Sequence, residues 1–376
     1  IYNYIYMNKF QKSKLIILGG FLGSGKTTLM MKLSKILIGQ GKTVSVITND
    51  QGGFLVDTAF AQSNGITSAE VTNGCFCCNF PDLISNIKTL ADDYSPDYII
   101  AEAVGSCTDL NATVLLPLKK HHADLVDLTA YFVLVDGARV IDEYSRMELI
   151  YPASPKEILV SHQIKEASRI LLSKSDFIED DEIQDSINFI KAINNKAEII
   201  PISARNDKGL DTLIDLISNN RLEEISKTIP LDYNIYAEAE AEYGWYNGKW
   251  KFISEKKISS ESLGNEILEF LRFSIPAEIA HGKVLLNSEY GSAKVSLAAN
   301  RINCDFSDVF NNSQQLIITL NIRAAIDPET ITKAVDALLE KIKTKYKAVI
   351  GDYDFSSIIP APPKPSYRLS IPAIQK

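Results

Sequence analysis

At 376 residues the chain has room for two domains and a buried core, and its apolar (45%) and charged (23%) fractions are those of an ordinary globular protein. A formal net charge of −8 argues against a non-specific nucleic-acid binder, which usually carries a basic face. No run reaches the roughly 18 to 20 apolar residues of a membrane-spanning helix, and no basic segment followed by an apolar run marks export, so the expectation is a cytoplasmic protein that binds neither nucleic acid nor membrane.

In chain order, short β-branched apolar runs at 15–18, 44–48, 98–101, 131–135, 170–172 and 199–202 alternate with helix-period segments. Runs this short read as buried strands. Leu29, Met30, Leu33, Ile36 and Leu37 lay one apolar stripe along the first intervening helix. Strands separated by helices predict an α/β domain with a doubly wound, mostly parallel sheet over residues 1–225.

The first run leads into Gly20-Phe-Leu-Gly23-Ser24-Gly25-Lys26-Thr27, a G-x-x-x-x-G-K-[ST] phosphate loop between a strand and a helix. Its glycines let backbone N–H groups turn inward on phosphates, and the helix N-terminus adds a positive end. Lys26 is expected to reach the β and γ oxygens, and Thr27 to bind Mg²⁺. Asp50, after the second run, is a second Mg²⁺ candidate.

Four of the five cysteines fall within 33 residues: Cys75, Cys77, Cys78 and Cys107. Three thiols as close as Cys75-Phe-Cys77-Cys78 suit a thiophilic ion better than a disulfide among themselves. Zn²⁺, Cu(I) or a related thiophilic ion is the expected class, with an incomplete shell that suits transfer. Cys107 is set down as a small buried thiol rather than a ligand, and His121 and His122 as a solvated helix end rather than a second metal pair.

Glu102-Ala-Val-Gly105 ends the third run, where an acid can hold Mg²⁺ and Gly105 can offer its N–H to a γ-phosphate. Ser173-Lys174-Ser175-Asp176 follows the fifth run at the place of a guanine-reading loop. A carboxylate there accepts from guanine N1 and N2 and repels adenine N1, favouring GTP over ATP. Ser203-Ala204, after the sixth run, is placed to meet the guanine carbonyl.

The pattern changes near 219–230, and residues 226–376 read as a smaller C-terminal α+β domain. Residues 235–253 alternate and contain Tyr246-Asn247-Gly248-Lys249, which predicts a hairpin turn with Trp245 and Trp250 packing beside it. A helix is expected over 262–273, strands over 283–286, 294–298 and 315–322, a helix over 328–346, and an extended proline-rich tail at 360–365.

Gly20 to Thr28, then Asn73-Gly-Cys-Phe-Cys-Cys78, Glu102-Ala-Val-Gly105, Val135-Asp136 and Ser173-Lys-Ser-Asp176, in this order and spacing, resemble the CobW family of SIMIBI-class GTPases, relatives of the UreG and HypB metallochaperones. The resemblance covers about the first 210 residues. It implies a GTPase with GTP/GDP and Mg²⁺ at its switch regions, and zinc, cobalt or a similar ion (Zn²⁺ or Co²⁺) on Cys75, Cys77 and Cys78. The sequence shows no obvious water-positioning glutamine or arginine finger, which predicts slow intrinsic turnover. It implies Lys26 and Thr27 as phosphate and Mg²⁺ ligands, Glu102 as the switch acid and Asp176 as the guanine reader. Hydrolysis would gate delivery to a metal-requiring or corrinoid client protein, in many relatives through a nucleotide-dependent homodimer. A chaperone of a cobalamin-dependent enzyme, and a metal sensor that delivers nothing, are the competing readings.

Overall fold

The computed structural model describes residues 12–49, 56–63, 65–72, 74–219, 225, 227–308 and 312–371. The first layer is a seven-stranded parallel sheet of β1 (Lys14–Gly20), β2 (Val44–Asn49), β3 (Thr67–Val71), β4 (Tyr98–Glu102), β5 (Asp127–Asp136), β6 (Arg169–Ser173) and β7 (Glu198–Pro201), in the order β3-β2-β4-β1-β5-β6-β7. Helices cover both faces. Leu15 and Ile17 of β1 enter one core, and Ile16 and Leu18 the other. That is why the strand reads as an unbroken apolar run.

The six apolar runs fall in β1, β2, β4, β5, β6 and β7. The edge strand β3 buries only Val71 fully, so Thr-Ser-Ala-Glu-Val carries no apolar run to betray it.

The second layer is a six-stranded antiparallel sheet of β8 (Gly244–Ser259), β9 (Ile279–Ser288), β10 (Gly291–Ala298), β11 (Arg301–Ser307), β12 (Asn312–Ala324) and β13 (Val349–Ile358), in the order β11-β10-β9-β12-β8-β13. Helices Ser260–Ser274 and Pro328–Tyr346 bury one face with Val284, Leu286, Val295, Ile318 and Leu320. Alternation then turns His281, Lys283, Lys294, Asn321 and Arg323 to the opposite face, toward the first domain.

The predicted hairpin at Tyr246–Lys249 is not there. Residues 235–253 instead begin with a helix, Tyr233–Ala241, whose Ala-Glu-Ala-Glu-Ala stretch favours that state, capped by Asp232. β8 then runs straight through Asn247-Gly248, because β12 pairs with it on one side and β13 on the other. With both edges bonded, the dipeptide has no freedom to turn. Arg323 Nη1 donates to Asn247 Oδ1 at 2.7 Å, and Gly248 leaves room for the Tyr246 ring. The two tryptophans are not hairpin neighbours: Trp250 is buried in the second core, whereas Trp245 carries the Arg323 guanidinium 4.1 Å from its ring centre and faces the first domain.

Candidate nucleotide and thiolate sites

Gly20 to Thr27 forms the turn from β1 into the helix Lys26–Gly39. Gly25 caps that helix at φ 94°, a conformation L side chains rarely adopt, and a Cβ on Gly20 would lie 2.3 Å from the Leu134 carbonyl oxygen. Lys26 Nζ donates to the Gly20 and Phe21 carbonyls at 2.7 and 3.2 Å, folded back over the loop that phosphates would fill. Burial, together with the nearby Lys283 and Arg139 cations, lowers Lys26 to about 8 against the pull of Glu102 and Asp57. The buried Ser24 hydroxyl has no partner among the described residues.

Thr27 Oγ1 donates to Glu102 Oε1 at 2.9 Å, joining the phosphate loop to the end of β4. Burial raises the Glu102 pKa, with Asp57 adding to the effect, and Oε2 is buried with no partner among the described residues. The second domain supplies a cation to this spot: Lys283 Nζ donates to Thr27 Oγ1 at 3.2 Å and also to Asp57 Oδ2. Lys294 Nζ stands 3.3 Å from Asp57 Oδ1. Burial opposes ionisation of Asp57, but the two lysines outweigh it and hold the carboxyl well below its ordinary range.

A cavity of about 340 Å³ opens between the layers, lined on the first-domain side by Gly23, Gly25, Lys26, Thr27, Thr28, Glu102 and Gly105 at one end. Ser173, Lys174, Asp176 and Ala204 line its other end. Ser173 Oγ donates to the Ser24 carbonyl at 2.7 Å, which ties the base-side loop to the phosphate loop. Lys174 Nζ donates to Asp136 Oδ2 at 2.7 Å. Ser203 Oγ accepts from Asn206 N at 3.1 Å, shaping the turn that presents Ala204. Asp50 and Asn73 lie outside the described residues. Motif reading finds neither Asp57, on the helix Val56–Ser63 of the first domain, nor Lys283, Lys294 and Arg323, because no spacing marks residues contributed by a distant sheet or the acid they pair with.

The three motif thiols meet in the turn between β3 and the helix Phe80–Tyr94. Sulfur–sulfur separations are 2.7 Å for Cys75–Cys77, 3.3 Å for Cys75–Cys78 and 3.7 Å for Cys77–Cys78. The Cys107 sulfur, buried, lies 3.8 Å from that of Cys77, beside the group of three. Hydrogen bonds from Cys75 and Cys77 hold its thiol down at about 6, while the bond to Cys75 and partial burial push Cys78 up to about 11.

The C-terminal tail closes over this loop: Lys364 N–H donates to Cys78 Sγ at 3.1 Å and Ser366 N–H to the Cys77 carbonyl at 2.8 Å. Arg368 Nε donates to the buried Asp109 at 2.8 Å. His121 and His122 pack against the Tyr367 and Phe80 rings.

A phosphate loop after β1, an acid at the end of β4 hydrogen-bonded to its threonine, and a base-side loop after β6 define a P-loop nucleotide-binding domain. Residues 14–201, half of the chain, match the family described as "CobW/HypB/UreG, nucleotide-binding domain", and the chain belongs to that family. It is 26% identical over 219 residues to the zinc-regulated GTPase metalloprotein activator 1 of Dictyostelium discoideum, covering 51% of this chain and 46% of that protein. It is 27% identical over 183 residues to the zinc chaperone CobW of Sinorhizobium sp, covering 43% and 51%. The chain thus spans about half the length of these curated relatives. Among solved structures, the Zn(II)-bound YjiA GTPase from E. coli is similar at 17% identity over 87% of this chain and 99% of that one, with a TM-score of 0.38.

Proposed function

We propose that the chain is a GTP-hydrolysing metallochaperone, in which the state of the bound nucleotide governs a metal ion carried on the thiolate cluster for transfer to a metal-requiring client protein. The observation that carries this reading is one short segment: Glu102 touches the phosphate loop at Thr27, and Cys107, five residues on, touches the thiols. Zinc is the cargo favoured by the all-sulfur donor set and by the zinc named in both curated relatives.

Nucleotide would enter the cavity between the layers with its phosphates on the backbone of Gly23 to Thr27. Lys26 would exchange the Gly20 and Phe21 carbonyls for phosphate oxygens and neutralise them. Asp176 would read guanine from the far end, with Ala204 at the carbonyl side. The donor set fits Mg²⁺, since the hydroxyl of Thr27 and the carboxylate of Glu102 are hydrogen-bonded neighbours and Glu102 Oε2 is buried with no partner among the described residues. When bound there, Mg²⁺ would supply charge neutralisation to the terminal phosphates.

Zinc affinity, measured by competition with a chromophoric chelator in the presence of GDP or a non-hydrolysable GTP analogue, tests the reading on wild type and Cys77→Ser. The expected result is one zinc per chain or per dimer, lost in the variant, with different affinities in the two nucleotide states. Affinity indifferent to nucleotide refutes the coupling. Phosphate release from GTP is expected to be slow and to fall about a hundredfold in Lys26→Ala. Cobalt in preference to zinc, with a corrinoid protein retained on purification, would redirect the client to a cobalamin-dependent enzyme.

A further inference from the structure

We infer that Cys107 is a fourth metal ligand, converting the Cys75, Cys77 and Cys78 cluster into a closed four-sulfur site. The inference rests on the metal-carrying reading above and adds a ligand from the nucleotide loop.

Sulfurs held at about 2.3 Å around one tetrahedral ion lie about 3.8 Å from each other. Cys107 stands at 3.8 Å from Cys77, and Cys78 at 3.7 Å, so Cys77 already has two neighbours at that spacing. Cys75, Cys77 and Cys107 are each 1% exposed, in a core they share with Phe76, Phe80, Val104 and Leu110. A water ligand on that side would sit in a largely apolar interior, which favours a protein group at the inner position. Among the described residues no histidine or carboxylate lies within 4.8 Å of all three motif sulfurs, and Cys107, which meets Cys77 at 3.8 Å, also stands outside that group of three. Among the neighbouring polar groups, His162 Nδ1 pairs with Thr108 Oγ1 at 2.7 Å and Asp109 with Tyr233 and Arg368 at 2.8 Å each, while Glu240 Oε1 accepts from Ser106 Oγ at 2.5 Å; Glu240 Oε2 and His162 Nε2 are buried with no partner among the described residues.

The three motif sulfurs form the compact group, with Cys107 against its inner side. A short inward movement of the 104–107 turn closes the shell, and the reverse movement opens it. That turn is tied to the nucleotide. Gly105 packs so tightly on the phosphate loop that a Cβ there would lie 2.8 Å from Leu22 N. Gln163 Nε2, from the helix Pro155–Glu166, donates to the Gly105 and Cys107 carbonyls at 3.0 and 2.9 Å, making the two residues one unit. A four-sulfur shell holds its ion as structural zinc sites do, and withdrawing one sulfur leaves the open shell that transfer requires.

X-ray absorption at the zinc edge of the zinc-loaded full-length wild type counts the sulfurs without any substitution. Four sulfurs at about 2.3 Å support the inference, and three sulfurs with one oxygen or nitrogen overturn it. Cys107→Ser, loaded with Co²⁺ as an optical probe, should keep the wild-type stoichiometry and lose about a quarter of the thiolate charge-transfer intensity. An unchanged spectrum overturns the inference while leaving the metal-carrying reading intact. A wild type that binds neither ion defeats that reading itself, and this inference with it.

Discussion

Lys283 places an ammonium against Thr27 Oγ1 and Asp57, the position a divalent cation would share with Glu102. Two cations cannot occupy it together, so the lysine and Mg²⁺ compete. Lys283→Met is expected to raise the apparent Mg²⁺ affinity of the GTP-analogue complex about tenfold, read by titration calorimetry. Unchanged or weaker Mg²⁺ binding would show that the lysine assists the ion instead. A second residue bears on pH. Burial pushes the Glu166 carboxyl up from 4.5 to about 8, although Asn111 N–H and Tyr131 Oη hydrogen-bond it. Folding therefore keeps the proton that the unfolded chain releases. The stability contribution is complete below pH 4.5 and is lost as pH rises through 8. By pH 7 the loss is about 3 kcal/mol. Glu166→Gln should remove this slope and denature at higher urea than wild type at pH 8, with the two curves converging near pH 4.5. Parallel curves across that range would mean the carboxyl is ionised in the fold.

At the scale of elements, the helix Pro155–Glu166 begins with Ser154 and Glu157 in a capping box and carries Gln163 into the turn after β4. Its amide is the mechanical link between Gly105 and Cys107. Gln163→Leu keeps the volume but strands two buried carbonyls, at a cost of about 1–3 kcal/mol in stability. The same variant is expected to shrink the ratio of zinc affinities between the two nucleotide states, with zinc stoichiometry kept. Chelator competition reads that ratio, and a ratio equal to wild type would show that coupling travels another way. The tail from Lys364 to Arg368 acts from the other side, fastening the Cys77-Cys78 backbone so that movement is left to the inner turn.

Across the whole molecule, the antiparallel sheet divides its labour by face. One face packs on its two helices, and the other, with Lys283, Lys294 and Arg323, roofs the nucleotide cavity of the parallel domain. Ala298 approaches the phosphate loop so closely that a Cβ on Gly23 would lie 2.7 Å from it. Ligand entry must therefore be felt in both layers. Hydrogen exchange at β9 amides 281–285 is expected to slow about tenfold on binding the GTP analogue with Mg²⁺. Protection confined to residues 14–201 would mean that the second domain swings free of the nucleotide.

The parallel domain was legible because its determinants are local. Runs buried on both faces announce β1, β2 and β4 to β7, and a phosphate loop must be contiguous for successive N–H groups to wrap one anion. The Cys75-Phe-Cys77-Cys78 turn announces itself for the same reason, as does the helix at 328–346, which matches Pro328–Tyr346. What tertiary structure decided is what depends on distant partners. Asn247-Gly248 carries a turn signal, yet strands on both sides hold it extended. Thr67–Val71 has no apolar run and becomes a strand only beside β2. Lys283 lies 256 residues from Thr27, and Cys107 lies 30 from Cys77, and neither separation carries a period or a motif. Sequence fixes which groups can bind a phosphate or a metal, but chain crossings across the fold choose which of them share a cavity.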